Sequence, residues 1–229
     1  MEKKFIEKAI IHTIGEKIGF EEAEVYWAML HKSPLGDINK SKKYRILQNL
    51  FKSGLLLKIR MTGVLEYIPV PPTFLYFEKS LEEKLIKQEE EKYIQLYGSL
   101  FKDSTLLLET NGEIIDGLIL FLIKNFMKKE ALMLIGGSPI YGLLKTKIPD
   151  KFEKIKFLAI KDFFNGVQTT SNLTLKPRYL ISDRRFCIID NSFLIVFSKS
   201  LENLFTGYLT NNPELIKTKT EEFNFLRGF

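Results

Sequence analysis

The chain has 229 residues, of which 45% are hydrophobic, 27% charged and 13% aromatic, enough to bury substantial cores in a small and a medium domain. Its longest apolar run, Ile114 to Ile123, is broken by Asp116 and Gly117 and falls far short of the ~20 residues that cross a bilayer, so no membrane span is expected. One cysteine excludes an intramolecular disulfide, and the charged N-terminal segment does not read as an export signal; a cytoplasmic chain is expected.

The net charge of +6 is unevenly spread. Residues 1–72 carry 12 Lys+Arg against 8 Asp+Glu, residues 73–103 carry 5 against 7, and residues 104–229 carry 17 against 13. From Ile38 to Arg60 there are seven cations and no acid, a focus that points to an anionic partner more strongly than the total does.

In chain order, Ile6, Ile10, Ile14 and Ile18 stand four apart and predict an amphipathic helix over 4–18. A second helix follows Gly19, with Glu21, Glu22 and Glu24 at its positive dipole end and Phe20, Ala23, Trp27 and Leu30 on its core face; Pro34 stops it. Asn39 or Ser41 caps a third helix that runs to Ser53 and ends at Gly54, with Leu47, Leu50 and Phe51 facing inward and Tyr44 alongside. Leu55 to Arg60 and Val64 to Val70 form a hairpin about the Met61-Thr62-Gly63 turn. Helices followed by a hairpin are in winged-helix order.

Pro71-Pro72 closes this head. The pattern Phe74, Phe77, Leu81, Leu85 among many glutamates predicts a long exposed helix to about Leu100, a stalk with a weak heptad. From Ser104 strands and helices alternate: Thr105–Leu108, Ile114–Lys128, Ala131–Ile135, a Gly136-Gly137-Ser138-Pro139 turn into a short helix, and Lys154–Ile160. Arg178–Ser182, Phe186–Ile189 and Phe193–Phe197 read as an antiparallel meander, and Pro213 begins a terminal helix. The expected fold class is mixed α+β and α/β, divided into a winged-helix unit over 1–72, a stalk over 73–103 and an α/β domain over 104–229.

On the third helix Lys42, Arg45, Asn49 and Lys52 share one stripe opposite the apolar face. Arg and Asn match guanine and adenine edges in a major groove, whereas lysines match phosphates. With Lys40 and Lys43 on the same helix, and Lys58 and Arg60 on the hairpin, these eight residues are the expected contacts to double-stranded DNA.

The stretches from Phe20 to Tyr26, Tyr44 to Leu55 and Tyr67 to Pro72 resemble the head of the archaeal TrmB-type transcription regulators. Tyr179 to Asp183, Phe193 to Phe197 and Thr210 to Leu215 resemble that family's phospholipase-D-like regulatory domain. The resemblance implies DNA binding through a winged helix-turn-helix, a homodimer, and in some members a sugar-like small-molecule effector held by the C-terminal domain. Only nine residues separate Pro34 from Tyr44, so Leu35-Gly36-Asp37-Ile38 supplies at most a stub of the helix that usually precedes the recognition helix. An adaptor protein, with a degenerate winged helix docking on part of the transcription machinery, is the alternative reading.

No enzyme, cofactor or metal site is expected. Active phospholipase-D-like proteins use a His-x-Lys-x4-Asp motif, which neither His12 nor His31 begins. The Gly136-Gly137-Ser138-Pro139 turn lacks the phosphate-loop and dinucleotide fingerprints. Asp183-Arg184-Arg185 reads as exposed charge at a hairpin tip, and Asp162 and Asp190 could line a sugar site through hydrogen bonds, but no spacing selects them over other polar residues.

Overall fold

A computed structural model describes the chain apart from residues 1–7, 9–10, 13, 17, 35, 37, 62–63, 71–90, 92, 99–104, 137–139, 165–166, 168, 181–184, 200–203 and 229. Residues 73–90, 92 and 99–103 of the expected stalk, most of the glycine-rich turn and Asp183-Arg184 therefore lie outside the described residues.

Residues 11–12 and 14–16 are helical, as the isoleucine spacing predicts. Helix α1, Phe20–Leu30, buries Ala23, Val25, Tyr26, Trp27 and Leu30. Phe20 departs from the expected core face: it is 55% exposed, and its ring lies over Gly15 and tilts 5.6 Å from His12. Helix α2, Lys40–Lys52, begins where the Asn39 side chain accepts the Lys42 amide at 2.8 Å, a standard N-cap. It ends where Gly54, at φ 77°, takes the left-handed turn, and the Leu55 amide reaches back to the Leu50 carbonyl at 2.9 Å. Its buried face is Ile46, Leu50 and Phe51; Leu47 is half-buried, and Tyr44, expected beside the core, is 64% exposed.

The chain then forms a hairpin, β1 (Leu56–Met61) with β2 (Val64–Pro69), registered Leu56 to Pro69 and Met61 to Val64. Next come β3 (Leu106–Asn111), α3 (Gly112–Phe126), β4 (Ala131–Gly136), α4 (Ile140–Lys147), the single turn α5 (Pro149–Phe152) and β5 (Ile155–Ile160). The remainder is β6 (Leu173–Lys176), β7 (Arg185–Ile189), β8 (Phe193–Lys199), β9 (Leu204–Thr210) and α6 (Pro213–Gly228). The expected strand at Arg178–Ser182 is instead a 3₁₀ turn over Arg178–Leu180, with Ile181 and Ser182 outside the described residues; β6 and β9 were not foreseen.

The nine strands among the described residues belong to one sheet, in the order β2-β1-β3-β9-β8-β7-β4-β5-β6. Only β4, β5 and β6 pair in parallel; the other pairings are antiparallel. The molecule is thus mixed α+β. One face carries the larger core, in which Met133, Ile135, Phe157 and Ile195 meet residues of α3 and α4. The other face packs Leu132, Leu134, Leu158, Phe186 and Val196 against Ile216 and Phe223 of α6. Burial on both sides is why β4 reads as an uninterrupted apolar run.

The sheet also ties the head to the rest of the chain. Lys58 to Arg60 of β1 pair with Leu107 to Glu109 of β3. Buried tyrosines complete the junction: Tyr26 donates to the Val70 carbonyl at 2.6 Å and shares a 2.5 Å hydrogen bond with the Tyr93 hydroxyl. Tyr97 donates to the Pro69 carbonyl at 3.2 Å and packs its ring 5.4 Å from Phe121 of α3.

Candidate nucleic-acid interface

The surface formed by α2 and the hairpin holds all eight residues singled out from the sequence. Asn39 fixes the start of α2 and Gly54 its end, so the helix and β1 are held at a set angle. Within that frame the eight residues divide into two groups.

Lys40, Lys43, Arg45 and Lys52 on α2, and Arg60 on β1, are exposed. Arg45 and Lys52 stand seven apart and therefore lie on one side of the helix, about two turns from each other. Arg60 stands in register with Leu65 of β2 on one side and Leu107 of β3 on the other. These five positive charges lie on α2 and on β1, which with β2 forms one edge of the sheet.

Lys42, Asn49 and Lys58 are less exposed, and each has a defined partner within the protein. Lys42 is ion-paired with Glu21 of α1. Asn49, expected on the exposed stripe, is half-buried, and its Nδ2 donates to Glu22 Oε1 at 3.0 Å. The Lys58 side chain is only 16% exposed, with its ammonium 2.9 Å from Glu109 and 3.9 Å from the centroid of the Phe51 ring. Such a cation has already exchanged water for a carboxylate and an aromatic face, and has little to offer an incoming phosphate.

Sequence spacing could not reveal this division. The stretch from Ile38 to Arg60 has no acid of its own, but packing brings it Glu21 and Glu22 from α1 and Glu109 from β3. Gln48 is engaged too, its Nε2 donating to the Tyr67 hydroxyl at 2.7 Å. Burial raises the Tyr67 phenol above its ordinary range, opposed by the positive charge of Lys58. Tyr44, Val64 and Leu65 add exposed apolar surface nearby, at 64%, 57% and 48% exposure.

Several charges elsewhere have structural partners. The Asp190 carboxylate accepts the amides of Lys128, Lys129 and Glu130 at 2.6 to 2.9 Å, closing the turn after α3. Lys151 donates to the carbonyls of Ile123, Lys124 and Met127, satisfying the end of the same helix. Burial lowers the Lys151 ammonium pKa, and the charge of Asp190 opposes that shift. Arg185 lies 3.8 Å from the buried Asp116, while Asp162 is exposed. His12 lies 3.6 Å from Glu16, and the His31 ring stacks 4.3 Å from Trp27. Among the described residues no group of three His, Cys, Asp or Glu side chains gathers as a metal set, and no helix is long and apolar enough to cross a membrane.

No protein-family model matches the chain, and no curated protein matches it. Among solved structures it is similar to TrmBL2, an archaeal chromatin protein described as showing a novel mode of DNA binding, with 17% sequence identity and a TM-score of 0.41 over 95% of this chain and 96% of that one.

Proposed function

We propose that this chain binds double-stranded DNA through α2 and the β1–β2 hairpin and acts as a transcription regulator. Residues 1–72 are the DNA-binding unit, 73–103 the link, and 104–229 a non-catalytic part that forms a homodimer or senses a sugar-like ligand. The observation that carries this reading is the exposure of Lys40, Lys43, Arg45 and Lys52 on α2 and of Arg60 on β1. Lysines there neutralise phosphates without regard to sequence, and Arg45 is the one exposed arginine of α2, with the planar pair of donors that fits a guanine edge. The resemblance of the head to TrmB-type regulators points the same way.

Selection from a random duplex library at near-physiological salt tests it. The wild type is expected to enrich guanine at one position per head, and Arg45→Ala to lose that preference. Lys52→Ala is expected to weaken all sequences alike. A wild type that selects nothing, with binding indifferent to both substitutions, would count against the reading.

An adaptor role is the second reading. Among the described residues no further helix lies between Leu30 and Lys40, so α1 alone precedes α2 as its support, and Tyr44, Val64 and Leu65 are open to a protein partner. Loss of a protein partner on Tyr44→Ala, without any effect of salt or sequence on duplex binding, distinguishes it.

A further inference from the structure

We propose that Glu21 and Glu22 determine how α2 reads a duplex, by withholding Lys42 and Asn49 from it; the inference rests on the DNA-binding reading above. Both carboxylates belong to the first turn of α1. The position of Glu22 is closely defined: its side chain folds back over Gly19, where an added β-carbon would stand 2.5 Å from Oε2, and its other oxygen accepts Asn49 Nδ2 at 3.0 Å. Gly19, at φ 105°, has no side chain to obstruct that fold.

The chemistry withheld is specific. Amide side chains pair with the adenine edge through a donor and an acceptor together. Helix α2 has two, Gln48 and Asn49; one is bonded to Tyr67 and the other to Glu22. A carboxylate is a stronger acceptor for an amide N–H than a neutral base edge, because the bond is charge-assisted. A base must therefore displace a better partner than it offers. Glu21 likewise holds Lys42 back from phosphate. The charged side chains left exposed on α2 are all cations, which favours sequence-tolerant binding with a single arginine reader.

The two carboxylates have separable signatures. Releasing Lys42 adds a phosphate contact, so Glu21→Gln is expected to steepen the dependence of log K on log salt by about 0.9, with little change in base preference. Releasing Asn49 adds a base contact, so Glu22→Ala is expected to create a preference of about tenfold for adenine at one further position. Glu22→Gln keeps an oxygen acceptor for Asn49 and is expected to stay sequence-tolerant.

The experiment is duplex binding and library selection with the full chain carrying each substitution, with thermal melting as a check on folding. A new adenine preference in Glu22→Ala that disappears in Glu22→Ala/Asn49→Ala supports the proposal. If the wild type binds through Arg45 while folded Glu22→Ala gains no preference, the withholding role is overturned and the DNA-binding reading stands. If neither the wild type nor any variant binds a duplex, both fall together.

Discussion

Tyr97 and Cys187 are wholly enclosed, and burial raises both ionisations far above their ordinary values of 10.0 and 9.0. The folded chain therefore keeps these protons when the unfolded chain has begun to lose them. The stability that the neutral groups confer is complete below about pH 9 and declines as pH rises, by about 1.4 kcal/mol per pH unit for each group once its unfolded form ionises. Urea unfolding of the wild type and Cys187→Ala between pH 8 and pH 10 checks the thiol. The wild type is expected to lose about 1.4 kcal/mol more than the variant over that range; parallel losses would show the thiol to be solvated. A buried thiol is what the apolar run Phe186 to Ile189 around Cys187 leads one to expect. The fate of Asn49 was not legible, since its partner Glu22 lies 27 positions away and contact depends on how two helices cross.

At the scale of elements, local chemistry was the reliable guide. The Asn39 cap, the Gly54 stop and the hairpin were readable because each uses neighbouring residues. Strand β4 was readable as a continuous apolar run. Strand β9 was missed because Gly207 interrupts its alternation, and the structure supplies the reason for the glycine. A β-carbon there would collide with the Val196 carbonyl oxygen and crowd the Phe197 ring, where β9 lies against β8. Gly207→Ala is expected to cost about 1–3 kcal/mol by overpacking. Gly142, within α4, has open space where its β-carbon would be, so Gly142→Ala is expected to stabilise by about 0.5–1 kcal/mol through helix propensity. Equilibrium denaturation of the two variants compares them directly; equal effects would contradict the packing assigned to β8 and β9.

At the scale of the whole molecule, α+β character was legible from the alternation of strand and helix patterns, but the path of the sheet was not. The pairing of β1 with β3 joins residues about 50 apart, and no local pattern specifies such a partner. One sheet consequently runs across both expected domain boundaries, and Tyr97 braces the hairpin against α3. This continuity matters to function because it brings Glu109 to Lys58, which removes one charge from the candidate interface. Net charge alone is a poor measure of that interface; the number of cations still exposed on α2 and the hairpin is the useful one.

Counterion release counts those cations. Titration of a short duplex against the full chain over a range of salt, for the wild type and for Lys40→Ala/Lys43→Ala/Arg45→Ala/Lys52→Ala, is the most direct test of a DNA-binding α2 surface. With five exposed cations per head, the wild-type slope of log K against log salt is predicted to be about −4.5 per head, falling to about −1 in the quadruple variant. A wild-type slope near zero, or one that the quadruple substitution leaves unchanged, would contradict it.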